Sequence, residues 1–258
     1  MDNVTKEWWF DAARATEKII KDTKEWFDKN FPTGNAVLGI SGGKDSTVTA
    51  KILCEAIGKD RVVGVLMPNG EQKDIADSER VCELLGIRSM TINIRLAYDA
   101  ILAGLSDYAV PTTQTKENLP PRLRMTTLFA VAQTYNGVVI NTGNYSEYML
   151  GWFTFGSDTC GSWAPLLDYT CTEVIEIGLH LGLPEDLVKK IPSDGLCGHS
   201  DEEKFGFSYA DCDRYLRGVS KQFDNDELFT KIRSRITNSE FKRTQLPFST
   251  TYLLHEEH

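Results

Sequence analysis

A glycine-rich loop carries the chemistry that the sequence shows most clearly. Residues 41–46 are Ser-Gly-Gly-Lys-Asp-Ser, and they follow a short apolar run. Glycines let the backbone approach a ligand closely and turn several N–H groups toward one anion. A helix that begins behind the loop would add the partial positive charge of its N-terminus, and the hydroxyls of Ser41 and Ser46 would add donors. The loop therefore predicts a binding site for the phosphate groups of a nucleotide.

Asp45 adds a carboxylate to this loop, where it would repel phosphate unless a cation lies between them. Magnesium is the natural bridge, because it binds carboxylate and phosphate oxygens together. The neighbouring Lys44 and Ser46 are candidates for stabilising a leaving phosphate group. The loop lacks both the G-x-x-x-x-G-K-[ST] pattern of a Walker A motif and the G-x-G-x-x-G pattern of a dinucleotide-binding turn. We therefore expect magnesium-dependent nucleotide chemistry of a different type.

Two later segments add further candidate residues. Residues 141–147, Asn-Thr-Gly-Asn-Tyr-Ser-Glu, begin where another apolar run ends, which is the edge at which open parallel sheets bind ligands. This placement favours a functional role for Glu147 over that of a solvated surface charge. Residues 118–125 contain Arg122 and Arg124, whose guanidinium groups match carboxylate and phosphate geometry. An arginine pair on the surface at a helix start is the simpler alternative.

The elements that must position these residues follow from the hydrophobic pattern. Apolar runs at 36–40, 62–66, 91–94 and 137–141 predict strands that are buried on both faces. The predicted helices lie at 3–30, between the loop and Gly58, from the N-cap Asp74 to Gly86, and at 97–105, 124–136 and 170–182. Strands that alternate with helices indicate βαβ units. We therefore predict an α/β fold, with an open parallel five-stranded sheet flanked by helices in a Rossmann-like, doubly wound arrangement.

Composition narrows the class of protein. The 258 residues are 41% apolar and 25% charged, which predicts one globular domain over residues 1–258. The net charge of −9 disfavours a nucleic-acid partner, because such surfaces usually need a basic excess. The six cysteines form no C-x-x-C pair, and the four histidines show no zinc-finger spacing, so we expect reduced cysteines. Without a signal peptide or an apolar run of about 18 residues, we predict a cytoplasmic protein without a membrane partner.

The phosphate loop resembles the S-G-G-x-D-S signature of the N-type ATP pyrophosphatases, which implies cleavage of ATP to AMP and pyrophosphate through an adenylylated substrate. Other segments are similar to those of the NAD synthetases within that group, and the resemblance covers residues 36–247. Residues 118–125 are similar to N-x-x-A-R-x-R-M, and residues 141–154 are similar to G-T-x-N-x-S-E followed by G-Y-x-T. Residues 190–196 are similar to K-x-P-[ST]-x-x-L, and residues 201–209 to D-E-x-x-L-G-x-x-Y. The loop at 68–72 and the pair Lys242-Arg243 also match. The combination is far more specific than the phosphate loop alone.

The resemblance implies a reaction and a set of roles. It implies ATP-dependent amidation of deamido-NAD, a fold like that of the adenine nucleotide alpha hydrolases, and a homodimer. Since we expect no glutaminase domain, ammonia would supply the nitrogen. ATP would be bound by Gly39, Ile40, Ser41, Gly42, Gly43, Lys44, Asp45, Ser46, Thr142 and Ser193; magnesium by Asp45 and Glu147; and deamido-NAD by Arg122, Asp158 and Lys242. Tryptophans of the first helix, Trp8, Trp9 and Trp26, would lie either in the dimer interface or in the core.

Four positions differ from the usual pattern of that family. Phe155 and Cys171 stand where lysines are usual, Ser162 where an aspartate is usual, and Phe241 where a histidine is usual. The sequence therefore leaves open another amide-forming ligase of the same type that acts on a different carboxylate. Charge and cysteine spacing disfavour a tRNA-modifying enzyme. The two candidate carboxylates, Asp45 and Glu147, disfavour a nucleotide-binding module without activity.

Overall fold

Four parallel strands form the centre of the protein. The computed structural model describes residues 10–72, 75–190, 201–219 and 227–243. Within them the strands lie in the order β3-β2-β1-β4, and every neighbouring pair is parallel. The strands are β1 (Asn35–Gly39), β2 (Val62–Leu66), β3 (Arg88–Thr91) and β4 (Gly137–Val139).

Helices cover both faces of this sheet. The helices are α1 (Ala12–Asn30), α2 (Lys44–Ile57), α3 (Ile75–Leu85), α4 (Arg95–Ser106), α5 (Thr113–Thr134), α6 (Tyr145–Leu150), α7 (Cys171–His180), α8 (Glu185–Val188), α9 (Asp201–Phe205), α10 (Tyr209–Leu216) and α11 (Glu227–Asn238). Ala36 and Leu38 of β1 pack in one cluster with side chains from α1, α2, α3 and α8, whereas Val37 packs in another with side chains from α5. Because both faces are covered, the central strands are apolar at nearly every position, as the sequence predicted.

The predicted fifth strand is wrong for the described residues, which form a four-stranded sheet. A single parallel bridge, from Ile140 to Trp163, lies beside β4 where another strand would extend the sheet. Gly161 has φ +140°, and Pro165 has no backbone N–H to donate. These two residues flank the bridge and prevent a longer ladder.

Two predicted elements have different limits. The third strand was expected at 91–94 and lies three residues earlier, although Ile92 and Ile94 still donate backbone hydrogen bonds to Leu66 and Pro68 at 2.8 and 2.9 Å. Helix α5 begins at Thr113 instead of 124, because the Thr112 side chain caps its N-terminus, and the helix tolerates Pro120 and Pro121 in its interior. The strand offset is small, whereas the earlier start of α5 brings residues 113–123 to the candidate site.

The remaining helices largely follow the predictions. Helix α1 is capped by Asp11, and the predicted residues 3–9 lie outside the described residues, as do the predicted cap Asp74 and the tryptophans Trp8 and Trp9. Trp26 stacks on Trp163 with ring centroids 5.5 Å apart, so it packs within its own chain. None of the described helices is long and apolar enough to cross a membrane.

The strand order places one crevice at a defined position. From β1 the chain passes to β2 and β3 on one side, and β4 then lies on the other side of β1. The connections that leave the carboxyl ends of β1 and β4 therefore run in opposite directions. Open α/β sheets bind ligands at such a switch point. The predicted phosphate loop follows β1, and residues 141–147 follow β4.

Candidate active site

The phosphate loop connects β1 to α2 in a conformation that requires glycine. Gly42 has φ +75°, and a Cβ atom there would lie 2.8 Å from the Cβ of Asp77. A larger residue would be strained both by the backbone conformation and by the contact. Gly43 is the N-cap of α2 without a side-chain cap, so the first N–H groups of the helix have no side-chain acceptor there. These N–H groups lie where the sequence predicts an anion site.

The two serines of the loop brace it. The Ser46 hydroxyl donates to the Gly43 carbonyl at 3.1 Å and accepts from the Ser41 N–H at 3.3 Å. The two hydroxyl oxygens lie 3.1 Å apart, and the Gly43 N–H donates to the Ser41 hydroxyl at 3.2 Å. The serines therefore hold the shape of the loop before any ligand contributes.

Asn144 joins the two carboxylates that the sequence singled out. Its side-chain nitrogen donates to Asp45 Oδ1 at 3.0 Å, across 99 residues of chain. Asn144 is also the N-cap of α6 and forms a capping box with Glu147: its Oδ1 accepts from the Glu147 N–H, and its own N–H donates to Glu147 Oε2. Asp45, from the end of β1, and Glu147, from the end of β4, are thus brought to one place. We name Asp45, Asn144 and Glu147 the acid cluster.

Lys44 is buried in the wall of the site and points toward the acid cluster. Its ammonium donates to Asp45 Oδ2 at 2.7 Å and lies over the ring of Tyr209, 5.8 Å from the ring centroid. Burial is the largest single influence and lowers the pKa of Lys44, but the charges of Asp45 and other nearby acidic groups, with the hydrogen bond to Asp45, together raise the pKa above its ordinary value. The lysine is therefore charged, and it neutralises one of the two carboxylates.

Glu147 is left with an unfavourable charge. Burial, together with the nearby charge of Asp45, raises the pKa of Glu147 to about 8. The Lys44 charge and the Asn144 backbone N–H oppose this shift without cancelling it. At neutral pH Glu147 therefore keeps its proton, and a cation bound beside the two carboxyl groups would favour its ionised form.

One large cavity contains most of the predicted residues. Its volume is roughly 1420 Å³, and it lies between the loop, α5, the segment after β4, and residues of α9 and α11. The predicted residues that line it are Gly39, Ile40, Ser41, Gly43, Lys44, Asp45, Ser46, Thr142, Glu147, Asp158 and Lys242. Gly42 and Arg122 are not among its lining residues, and Ser193 lies outside the described residues.

The expected substrate-binding residues are distributed over one end of this cavity. Asp158 accepts hydrogen bonds from the Thr154 N–H and the Ser157 hydroxyl at 2.8 and 3.0 Å. The Lys242 ammonium donates to the carbonyl oxygens of Gly151 and Phe153 at 2.5 Å each. Lys242 thus holds the 151–153 segment in place, while Asp158 remains exposed at the cavity rim.

The two arginines of the 118–125 segment separate. Arg124 lines the cavity and donates to the Met67 carbonyl at 3.0 Å. Arg122 is exposed on α5 and donates to the Phe155 carbonyl at 3.1 Å. The helical spacing of two residues turns their side chains apart, so they do not form one anion site within this chain.

The four residues that differ from the usual family pattern, Phe155, Ser162, Cys171 and Phe241, occupy different environments. Phe155 and Phe241 are exposed. The Ser162 N–H donates to the Val139 carbonyl at 2.8 Å, next to the isolated bridge. Cys171 is buried in the protein, and burial raises the pKa of its thiol well above the usual range. A thiol that stays protonated is a poor nucleophile.

Comparison with known proteins agrees with this arrangement. The sequence model of a family described as NAD synthase matches residues 16–246. The NH(3)-dependent NAD(+) synthetase of Pyrococcus furiosus is 36% identical over 239 residues, which cover 88% of this chain and 92% of the relative. This chain belongs to the NAD synthase family. The family uses ATP, and the named relatives support an enzyme that takes small-molecule substrates.

Solved structures related to the NAD synthase family have the same fold. The structure of NMN synthetase from Francisella tularensis superposes with a TM-score of 0.84 at 30% identity and covers 95% of this chain and 100% of its own. NAD+ synthetase from Burkholderia pseudomallei gives 0.75 at 27% identity, with 91% of each chain covered. The α/β fold with a parallel sheet flanked by helices is therefore confirmed.

Sequence reasoning missed Asn144 as a functional residue. The pattern Asn-x-x-Glu at 144–147 is a capping signature, and it predicts the α6 N-terminus and the contact between Asn144 and Glu147. It does not predict that the free amide nitrogen reaches Asp45. That contact depends on the parallel neighbours β1 and β4.

A second charged group lies behind α6 and supports this NAD synthase site. Buried Asp213 accepts from the Ser146 hydroxyl and from the Thr172 N–H and hydroxyl, the last two at 2.8 Å. Buried Glu173 pairs with Arg217 through two hydrogen bonds, one of 2.8 Å. We name Ser146, Thr172, Glu173, Asp213 and Arg217 the supporting network. It ties α6, α7 and α10 together, and apart from the cap formed by Thr170 and Glu173 it could not be predicted from the sequence.

Proposed function

We propose that the protein is an ammonia-dependent NAD synthetase, which uses ATP to convert the nicotinate carboxylate of deamido-NAD into an amide. The observation that carries the proposal is the acid cluster, which joins carboxylates from two strand ends beside the phosphate loop. The name of the Pyrococcus relative supports the same activity. The cavity exceeds the ~300–1,000 Å³ of ordinary small-ligand sites, which suits two nucleotide substrates together.

Asp45 and Glu147 would hold the magnesium ion of the bound nucleotide. Magnesium in nucleotide sites is usually held by one or two carboxylates, with phosphate oxygens and water as the other ligands. The described residues contain no cluster of three or more metal-binding side chains, which fits an ion shared with a nucleotide. Each oxygen of Asp45 accepts one hydrogen bond and retains capacity for another partner. When bound, the ion would offset phosphate charge and help to orient the triphosphate.

The reaction proceeds in two substitutions. An oxygen of the nicotinate carboxylate attacks the α-phosphorus of ATP, the bond from that phosphorus to pyrophosphate breaks, and an acyl-adenylate forms. Ammonia then attacks the acyl carbon, the bond to the AMP oxygen breaks, and the nitrogen loses a proton to solvent. No protein nucleophile is required, which agrees with the buried thiol of Cys171.

The protein contributes positioning and charge stabilisation. We propose that the N–H groups of the loop, together with Ser41 and Ser46, bind the pyrophosphate that leaves. Lys44 acts through Asp45, since its ammonium faces that carboxylate. The other ATP contacts that we propose are made by Gly39, Ile40, Gly42, Gly43, Thr142 and Ser193.

For deamido-NAD we propose Arg122, Asp158 and Lys242 as contacts. Asp158 and Lys242 line the cavity, whereas Arg122 is exposed and would contact a substrate that extends across α5. The related NMN synthetase structure makes nicotinate mononucleotide an alternative carboxylate substrate worth testing. We propose that the cavity wall around Asp158 and Lys242 discriminates between deamido-NAD and nicotinate mononucleotide.

We further propose a cytoplasmic homodimer. Helix α4 has no buried residue, yet it carries the exposed apolar side chains of Leu96, Ile101 and Leu105. Ile101 and Leu105 lie one turn apart on the same face, and exposed apolar side chains grouped in this way are typical of an interface. Because Trp26 packs inside its own chain, α4 replaces α1 as the proposed contact surface. Light scattering should give twice the 29.0 kDa chain mass, and a monomer would contradict the proposal.

The activity is tested by product analysis. Purified protein is incubated with magnesium-ATP, ammonium and deamido-NAD, and NAD, AMP and pyrophosphate are measured. We expect equal amounts of the three products, and no NAD when ammonium is omitted. A parallel reaction contains nicotinate mononucleotide in place of deamido-NAD. Faster amidation of the mononucleotide would overturn the assignment of the dinucleotide. If neither substrate led to AMP release, both assignments would be overturned.

A further inference from the structure

Arg235 of α11 is a cation on the cavity wall that no known role explains. Its guanidinium carbon lies 4.6 Å from the ring centroid of Phe205 and 5.1 Å from that of Trp152. These rings are themselves 4.7 Å apart in an edge-to-face contact. Stacking on ring faces fixes the guanidinium but leaves its in-plane N–H groups available to an acceptor. Arg235 is therefore held in one place by the two rings.

The donors of Arg235 have no acceptor in the described part of the chain. Its Nε atom is buried without a hydrogen-bond partner, and no carboxylate among the described residues forms an ion pair with it. The other enclosed cations differ. Lys44 is paired with Asp45, Arg217 with Glu173, and Lys242 with two carbonyl oxygens.

The charge of Arg235 is unfavourable as it stands. Burial lowers the pKa of Arg235. The pKa of the neighbouring Lys242 is also lowered, first by burial and then by the positive charge of Arg235. Two cations close together on one wall repel each other until an anion lies between them. If the position served only to cover Trp152 and Phe205, an apolar side chain would do so without this cost.

We propose that Arg235 binds a phosphate group of a nucleotide substrate in the main cavity. Guanidinium matches the oxygens of phosphate with paired N–H donors, and the cavity that Arg235 lines also contains the phosphate loop. The inference rests on the proposed function for the identity of the nucleotides, ATP and deamido-NAD. Either of them supplies phosphate, and the binding experiment separates the two.

The test compares Arg235→Met with Arg233→Met. Methionine keeps the packing on the two rings but removes the charge. Arg233 lies on the same helix, is exposed, and does not line the cavity. Dissociation constants for magnesium-ATP, AMP and deamido-NAD are measured by calorimetry without turnover. We expect Arg235→Met to bind at least one phosphate ligand about tenfold or more weakly, as the loss of a hydrogen bond to a charged group implies, and Arg233→Met to bind as wild type does.

The pattern of losses identifies the phosphate. Weaker binding of ATP with unchanged AMP places Arg235 on the β- or γ-phosphate, and weaker binding of deamido-NAD places it on that substrate. Thermal melting verifies that Arg235→Met is folded. If Arg235→Met does not fold, Arg235→Lys is measured instead, because lysine keeps the charge and loses the paired donors. Wild-type affinities for all three ligands in the folded variant would overturn the inference. NAD formation by the wild-type protein is measured separately, so failure of the proposed function is distinguishable.

Discussion

Two charged groups lie on opposite sides of α6, and consecutive residues of that helix point to each. Ser146 faces the supporting network, and Glu147 faces the acid cluster and the cavity. In the supporting network every buried carboxylate meets matched donors: Asp213 receives three hydrogen bonds, and Glu173 is paired with Arg217. In the acid cluster, two carboxylates share one ammonium, that of Lys44.

The difference between the two groups separates structure from function. A buried charge with all its partners in the protein needs no ligand, and its removal affects the fold. Two carboxyl groups that share one ammonium beside a cavity ionise together only when a further cation binds, and removal of either affects binding and catalysis. Variants on the two sides of α6 should therefore change different measured quantities.

The largest effect is expected for Asp45→Asn. The amide keeps the shape and can still accept from Lys44, but it removes a charged magnesium ligand. We expect NAD formation to fall on the order of 1,000-fold, since metal stabilisation of phosphate charge is worth several kcal/mol. Rates are compared per folded molecule, because the buried Lys44 ammonium loses its charged partner and the urea midpoint should also fall. Asp28→Asn, at an exposed surface pair on α1, is the control and should leave the rate unchanged.

Asn is preferred to Ala at position 45, because its amide oxygen can still accept a hydrogen bond from the buried ammonium of Lys44, which Ala cannot. Turnover of Asp45→Asn at the wild-type rate with saturating magnesium would exclude Asp45 as a metal ligand.

For Arg217→Met we expect a loss of stability with little change in the rate. This change leaves the buried Glu173 carboxylate with only its cap contact to Thr170. Because Arg217 is partly exposed, we take the lower part of the range for broken buried pairs, a loss of about 2–3 kcal/mol in the free energy of unfolding. Urea denaturation measures it. The rate per folded molecule should stay within about twofold, because no substrate contact is removed.

Arg80→Met is the matched control for Arg217→Met. Arg80 pairs with Asp186 on the surface, where such pairs contribute about 0–1 kcal/mol. A large loss of activity in Arg217→Met without a loss of stability would show that the supporting network takes part in catalysis.

The pH dependence of stability should report Glu147. Its pKa is raised to about 8 by burial and by Asp45, above the ordinary value of 4.5. A group that binds its proton more tightly in the folded state stabilises the fold in full below the unfolded pKa, and this stability is lost as the pH rises through the folded pKa. Without magnesium, we expect the free energy of unfolding to fall between pH 5 and 8 by up to about 1.4 kcal/mol per pH unit.

Glu147→Gln supplies the comparison. Glutamine can keep the capping box but does not ionise, so its stability should depend less on pH over the same range. Urea denaturation in the presence of a chelator gives both profiles. Parallel profiles for wild type and Glu147→Gln would contradict the raised pKa.

The smallest effects are expected at Asn144, where two roles can be separated. Asn144→Ser keeps an N-cap acceptor for α6 but loses the amide donor to Asp45. Asn144→Ala loses both. We expect Ala to be about 1 kcal/mol less stable than Ser, as for other caps. Both variants should lose activity about tenfold, the effect of one hydrogen bond to a charged group.

Denaturation and steady-state rates test the two roles of Asn144 together. If Asn144→Ser were as active as the wild type, the link between Asp45 and Glu147 would be unnecessary for catalysis.

Local pattern explains what the sequence predicted well. The apolar runs of β1 and β2 and the turn at residues 41–46 depend on neighbours in the chain, and the structure places them as expected. The predicted fifth strand had no such local signal, and the described residues show only a single bridge at Trp163. The predicted helix at 124–136 began too late: proline is usually unfavourable inside a helix, but α5 contains both Pro120 and Pro121.

The sequence by itself determined the phosphate loop, the parallel α/β organisation and the two carboxylates, because glycine conformation, strand burial and residue type act locally. Only the tertiary structure decided which side chains meet. It brought Asn144 to Asp45 across 99 residues, turned Lys44 toward its neighbour, separated Arg122 from Arg124, and left Arg235 on the cavity wall. Hydrogen bonds and charges act over a few ångströms, so their partners are set by the packing of strands and helices that lie far apart in the chain.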